Sequence, residues 1–365
     1  MHSRLPIATS TDTALPCLVP DMPSVQELQP YLRSMEQTGW YTNFGPLVRN
    51  FESRLARLLR RRDRRTGAIG ICSASSGTAA LELGLMALNM PPHARVLVPA
   101  VTFPSTATAV VRAGYLPLIA DVDPQRWVLT PELAERYLRD TRVDAVMPVA
   151  AFGPSVDSRA WDDFSAKTGL PVLIDASPAY PDQTVGDRCL VAFSFHATKS
   201  LGIGEGGALA ARDQLLIARA QRLSNYGFSE GEVVTAGTNA KLSEYHAAVG
   251  LAQLDRWSDI VERRKQVWNY YDEMLQEVLG ARIVCQTGTP SSAPSMMVVA
   301  VPELPAARVL DRLHMRGIQG RRWYCPALHR HAGIREHAEL AAAELSTADF
   351  LSEHLLGLPF HTRMG

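Results

Sequence analysis

The stretch Ser194-Phe-His-Ala-Thr-Lys-Ser-Leu-Gly-Ile-Gly-Glu-Gly-Gly207 admits two incompatible readings. Its tail, Gly202 to Gly207, matches G-x-G-x-x-G, the pattern that lets a strand–helix turn approach a dinucleotide pyrophosphate. Its head places Lys199 behind Ser194 and His196, as a lysine held at the end of a strand. A dinucleotide loop needs a strand before the glycines, a helix directly after them, and an acidic residue about twenty positions on. Here the glycines run into Ala208-Leu-Ala-Ala211, a strand-like segment, and the residue twenty positions beyond Gly202 is Arg222. Both contexts fail, so the lysine is the feature to follow.

The surrounding chain alternates short apolar runs with helical patterns from Ile69 onward. The strand-like runs include "ARVLVPA" (94–100), "YLPLIADV" (115–122), "DAVMPVAAFG" (144–153), "LPVLIDAS" (170–177) and "LVAFSFH" (190–196). Helical patterns lie between them, such as "TPELAERYLRD" (130–140), whose Thr130 and Pro131 suit the N-cap and first helical position. Strands that are apolar throughout, alternating with helices, imply a mostly parallel central sheet covered on both faces, an α/β fold. One long helical pattern over 242–279 then leads toward a strand–strand–helix region, which places a domain boundary near residue 255. The expected organisation is an N-terminal arm over 1–20, a large domain over 21–255 and a smaller C-terminal α/β domain over 256–365.

Composition narrows the function classes. The 365 residues carry 37 Lys and Arg against 37 Asp and Glu, so no global field favours nucleic acid or an anionic membrane. The basic run Arg60–Arg65 closes a helical pattern that begins near Leu47, where cations are favourable for local reasons, and reads as a solvated helix end. Five scattered cysteines without a C-x-x-C pair argue for a reducing compartment. No signal-like apolar segment opens the chain, no run approaches membrane-spanning length, and a cytoplasmic protein acting on small molecules is expected.

A lysine at a strand end suggests the anchor of an aldehyde cofactor. A pyridoxal phosphate enzyme must supply a Schiff-base lysine, a carboxylate that keeps the pyridine nitrogen protonated, an aromatic or apolar face, and donors for the phosphate. Asp175 closes "LPVLID", Lys199 follows the next strand, and Gly77 and Thr78 open a helix whose free amides suit a phosphate. Phe103 sits where a ring could cover the cofactor. Each residue also has a structural reading: Asp175 as a helix cap, Lys199 as a surface residue, Phe103 as core. The combination favours the site. His329, His331 and His337 lack carboxylate or cysteine companions for a metal site, so surface or substrate-edge roles are expected and no metal.

In eight segments the chain resembles the DegT/DnrJ/EryC1/StrS family of fold-type I pyridoxal phosphate aminotransferases. Among them are "GWYTNFGPLVRNFESRLARLL", "SSGTAALELGLMAL", "PAVTFPSTATAV", "LIDAS", "SFHATKSLGIGEGGALAARD", "GTNAKLSEYHAAVGLAQLD" and "RRWYCPALH". The resemblance implies Lys199 as Schiff-base lysine, Asp175 as partner of the pyridine nitrogen, and Phe103 stacked on the ring. It also implies phosphate contacts from Gly77, Thr78 and Ser194, with Asn239 reaching the phosphate of the neighbouring subunit in a homodimer with shared active sites. Trp40, Tyr41, Asn43 and Tyr324 would border the substrate.

The activity the resemblance implies is amino transfer from glutamate or glutamine to a keto-sugar carried on a nucleotide. Alternatives are a related enzyme acting on a cyclitol or other small ketone, and a cofactor-bound sensor without turnover. Two positions depart from the family's pattern. Asp175-Ala-Ser-Pro178 carries Pro178 where a His or Gln is usual, and the chain ends at "LPFHTRMG" without the helix that usually follows.

Overall fold

The computed structural model describes residues 14–63, 65–288 and 291–364. The sheet that carries the site is built from β1 (Gly70–Ala74), β2 (Arg95–Pro99), β3 (Leu116–Ala120), β4 (Ala145–Val146), β5 (Leu173–Asp175), β6 (Leu190–Ser194) and β7 (Gly207–Ala211). Two hydrogen-bonded groups, β1-β7-β6-β5 and β3-β2-β4, are joined by parallel bridges at Val146↔Val172 and Val149↔Asp175. The strands are almost wholly buried, which is why they read as continuous apolar runs rather than alternating ones. Strand β7 is the exception to parallel order: it lies antiparallel between β1 and β6.

Helices cover both faces: α1 (Val25–Thr38), α2 (Pro46–Arg62), α3 (Gly77–Leu88), α4 (Ser105–Arg112), α5 (Pro131–Tyr137), α6 (Ser158–Thr168), α7 (Gln214–Ser224) and α8 (Glu244–Asp255). Thr130 caps α5 as expected, its hydroxyl accepting from the Leu133 amide at 3.2 Å, with Pro131 at the first helical position. Glu244 performs a longer-range cap. Buried at the start of α8, its carboxylate accepts from the Leu47 and Val48 amides of α2 at 2.8 and 2.9 Å, satisfying donors that a helix N-terminus leaves free.

Two sequence expectations are corrected here. The long helix expected over 242–279 breaks at Arg256 into α8 and α9 (Trp257–Val278). The periodicity runs on without interruption, and tertiary contacts make the break: the Gln253 amide donates to the Asp21 and Gly202 carbonyls while Arg256 pairs with Asp21 at 2.8 Å. The segment 224–239 contains a hairpin of β8 (Phe228–Ser229) and β9 (Glu232–Val233). The basic run is only partly a solvated helix end. Arg60 and Arg61 are exposed, but Arg62 pairs with Asp182 and Arg65 with Asp162.

Beyond α9, an antiparallel sheet of β10 (Val284–Cys285), β11 (Met297–Ala300) and β13 (Leu355–Leu358) packs with α10 (Ala306–His314) around Ile283, Val299, Leu310 and Leu356. Between its strands, β12 (Glu339–Leu340) adds to the edge of β3, so part of the C-terminal chain completes the main sheet. Of the expected arm, residues 1–13 lie outside the described residues. The rest is docked: Leu15 exchanges backbone hydrogen bonds with Gly317 and Gln319, and the Cys17 carbonyl accepts from Phe360.

Candidate active site

Parallel β5 and β6 end on the same edge of the sheet, with Asp175 opposite Ala192, two residues before Ser194. The N-terminus of α3 after β1 and the turn after β2 open onto that edge, where open α/β sheets bind ligands. A cavity of about 380 Å³ lies there. Gly77, Thr78, Phe103, Asp175, Ser194, Lys199 and Tyr324, each singled out from the sequence, all line it.

Asp175 is 2% exposed and fully engaged. Its Oδ2 accepts from Thr106 Oγ1 at 2.8 Å, and its Oδ1 accepts from Ser177 Oγ at 2.6 Å and from the Ser177 amide at 3.1 Å. These donors fix the carboxylate's orientation. Lys199 sits at the tip of a loop zipped at its base, where Phe195 and Ala197 donate to the Gly206 and Gly204 carbonyls at 2.8 Å. The glycines of the opening stretch serve this closure: a Cβ on Gly202 would meet the Ala197 carbonyl oxygen at 2.4 Å, and Gly204 takes φ +96°. They lead into antiparallel β7 rather than a helix, which disposes of the dinucleotide reading. Burial lowers the Lys199 ammonium from the ordinary lysine range, against a smaller pull upward from Asp175.

The helix end supplies an anion cradle. Gly77 and Thr78 open α3, so the helix leaves their amides unpaired. A Cβ on Gly77 would lie 2.7 Å from Ser194 Cβ, so only glycine lets the helix end approach the end of β6 this closely. Phe103 is a large aromatic left 57% exposed, beside the cavity, with its edge toward Tyr324 at 6.5 Å between centroids. Tyr324 in turn stacks on Phe152 at 5.1 Å, and burial, followed by the Asp175 charge, raises its hydroxyl pKa well above the usual value.

Four predicted residues are not brought to this cavity within the chain. Asn239 is exposed and accepts from Lys241 Nζ at 2.7 Å, and Trp40, Tyr41 and Asn43 lie by the start of α8, where Tyr41 stacks on Tyr245. The histidine expectation is also corrected at one position. His329 is buried against Asp349, its Nε2 at 3.0 Å, because the turn after Cys325 folds inward onto α12 (Ser346–His354). Sequence reasoning missed Thr106 and Ser177, whose hydroxyls orient Asp175, as well as Ser295, Arg321 and Trp323 in the cavity wall. The sequence signal for the last two was their place with Tyr324 in the segment "RRWYCPALH".

The model of the DegT/DnrJ/EryC1/StrS aminotransferase family matches residues 24–365. A dTDP-4-amino-4,6-dideoxy-D-glucose transaminase of Shigella dysenteriae is 29% identical, covering 94% of this chain and 93% of that protein. Among solved structures, a protein of Bacillus cereus described as a PLP-dependent aminotransferase superposes with a TM-score of 0.86 at 26% identity, covering 96% of each chain. DesI, solved with its TDP-sugar product, gives a TM-score of 0.84 at 28% identity over 97% of this chain and 90% of its own.

Proposed function

The chain belongs to the DegT/DnrJ/EryC1/StrS aminotransferase family and is a pyridoxal phosphate-dependent aminotransferase; from that premise we propose that it carries an amino group from glutamate or glutamine to a carbonyl of a nucleotide-linked keto-sugar. The observation that carries this reading is one cavity uniting a buried carboxylate, a lysine with a lowered pKa, a helix N-terminus without a Cβ and an exposed aromatic ring. That set fits a flat, phosphate-bearing heteroaromatic aldehyde. The sugar acceptor is supported by the names of the Shigella transaminase and of DesI's product.

Pyridoxal phosphate, when bound, supplies an aldehyde that carries the amino group and a ring that takes up the electron pair left by a departing α-proton. The amides of Gly77 and Thr78, with Ser194 Oγ, bind the phosphate at the positive end of α3. Phe103 covers the ring face. Asp175, oriented by Thr106 and Ser177, would stand as the hydrogen-bond partner of the ring nitrogen. Lys199 Nζ would anchor the cofactor through its aldehyde. Burial of the lysine favours the neutral amine, which would move the proton from the donor's Cα to the carbon that bore the aldehyde and, in the return half-reaction, a proton from that carbon to the acceptor carbon. Tyr324 borders the substrate side.

We read the functional unit as a homodimer in which Asn239 and the Trp40–Asn43 loop complete the neighbour's site. Supporting this, both lie outside their own chain's cavity on exposed apolar surface: Asn239 bridges to Asn225 beside the exposed Tyr226 and Phe228, and the loop exposes Trp40 and Tyr41. The free cysteines support a cytoplasmic location, and no helix among the described residues is long and apolar enough to cross a membrane. The break at Arg256 supports dividing the chain into 21–255 and 256–365. A second reading, a cyclitol or other small ketone as acceptor, is favoured by Pro178 lining the cavity.

Borohydride reduction followed by peptide mapping tests the assignment: the pyridoxyl mass is expected on Lys199, and a label on Lys167 or Lys241 overturns it. Incubation with glutamate is expected to convert the cofactor's absorbance to that of the amine form.

A further inference from the structure

The cavity holds more recognition chemistry than the cofactor uses. Ser295 is 2% exposed and lines the wall, yet its Oγ has no hydrogen-bond partner among the described residues. A buried hydroxyl without a partner marks a place where a bound group supplies one. Its position is fixed from behind, since the buried Arg264 donates to the adjacent Pro294 carbonyl at 3.1 Å.

Arg321 lines the same cavity. Its backbone is clamped to β13 by reciprocal hydrogen bonds with Gly357, at 2.9 and 2.7 Å. Among the described residues its guanidinium forms no ion pair, and it lies 5.4 Å from the centre of the Trp323 ring. Trp323 is itself seated tightly, because a Cβ on Gly357 would come within 2.3 Å of its Nε1. Of the other charged groups in the wall, Asp175 and Glu205 are anionic and Lys199 is committed to the cofactor. Arg321 is thus the guanidinium left to meet a second anion.

We propose that Arg321 and Ser295 form the site for a carboxylate of the amino donor, the guanidinium taking it through two parallel hydrogen bonds and Ser295 Oγ donating a third. The inference rests on the aminotransferase reading above and specifies its donor side. Size favours the donor over the acceptor. A cavity of about 380 Å³ shared with a cofactor leaves room for an amino acid, whereas a sugar nucleotide would carry its diphosphate out through the mouth.

The test uses holoenzyme and two unreactive probes: glutarate, a dicarboxylate without an amine, and dTDP, a diphosphate without a sugar. For Arg321→Ala, calorimetric binding of glutarate is expected to weaken by about tenfold or more, with dTDP binding unchanged. The KM for glutamate should rise by a similar factor while kcat stays within about threefold. Ser295→Ala should give a smaller loss in the same direction, and Arg321→Lys an intermediate one. Unchanged glutarate binding in both alanine variants, with normal cofactor absorbance, overturns the proposal; so does a loss confined to dTDP, which would assign Arg321 to the nucleotide. If wild-type enzyme reacts with neither glutamate nor glutamine, the donor reading above fails, and the glutarate measurement alone decides the role of Arg321.

Discussion

Thr106 holds Asp175 from across the sheet: a hydroxyl on α4, the helix after β2, donates at 2.8 Å to the carboxylate that ends β5. Thr102 continues the chain, its hydroxyl 2.7 Å from that of Thr106. The carboxylate proposed to partner the ring nitrogen is therefore oriented by residues drawn from two strand ends. Thr106→Val removes one donor without touching the charge. It should lower kcat by about tenfold, the scale of one hydrogen bond to a charged group, with cofactor affinity little changed. Asp175→Asn should still bind cofactor but lose more than about a hundredfold in kcat. Near-normal steady-state turnover in Asp175→Asn would remove the role assigned to this carboxylate.

The approach of Gly77 to Ser194 predicts a steric effect on cofactor binding. A methyl at position 77 lies 2.7 Å from Ser194 Cβ, so Gly77→Ala must push the first turn of α3 away from β6. Equilibrium titration of the apoenzyme should show cofactor affinity lowered by about tenfold or more. Adding Ser194→Gly should recover part of that loss, since it removes the atoms met by the new methyl while also deleting the hydroxyl. An unaltered affinity in Gly77→Ala would mean that the phosphate does not sit on this helix end.

Lys199 gives a pH-dependent signature in the apoenzyme. Its folded-state pKa lies below the ordinary lysine value near 10.5, so between the two values the unfolded chain binds more protons than the folded one. This residue's contribution to stability therefore rises with pH through that window, as the buried ammonium loses its proton. Lys199→Met lacks the charge. Its apoenzyme should unfold at a higher temperature than wild type at neutral pH, and the gap should shrink toward pH 10. Paired thermal melts across pH 7–10 check this, and a constant gap would show that the lysine is not held in a desolvated site.

The shared-site dimer predicts complementation. Lys199→Ala removes the cofactor's anchor and Asn239→Asp sets a negative charge against the neighbour's phosphate, so each homodimer should be nearly inactive. Mixed dimers gather both lesions in one site and leave the other intact. Co-refolding equal amounts should restore about a quarter of wild-type activity, because about half of the dimers are mixed and each has one good site. Activity at the homodimer level, with exchange verified by differential tags, would place Asn239 within its own chain's function or outside function altogether.

The strands, and the gathering of Lys199, Asp175, Gly77 and Thr78 at one cavity, were readable because their signals are local: buried apolar runs such as Leu190–Ser194, and a lysine, an aspartate and a Gly-Thr helix start in fixed order. The direction of Gly207–Ala211 was not readable, since an apolar five-residue strand looks the same either way and its partners lie elsewhere in the chain. The break at Arg256 is likewise invisible in a periodic pattern, being made by Asp21 and Gly202. Thr106 and Ser177 look like ordinary helix and turn residues until the fold turns their hydroxyls onto Asp175. Ser295 and Arg321 arrive from a different part of the chain, so no spacing connects them to Lys199.

Strand β7 sets an order of assembly. It pairs with β6 across the short connection that bears Lys199, but with β1, and hence with the helix end that holds Gly77, only across a long span of chain. Local pairing closes quickly, whereas distant pairing must first meet the entropy of a long loop. During refolding the lysine's connection should therefore take shape before the phosphate cradle exists, and the polypeptide should pass through a stage with much of its backbone ordered but no capacity to retain the cofactor. Recovery of far-UV dichroism would then precede recovery of cofactor absorbance. The cofactor would act as a late fastener of the finished chain rather than a template on which it folds.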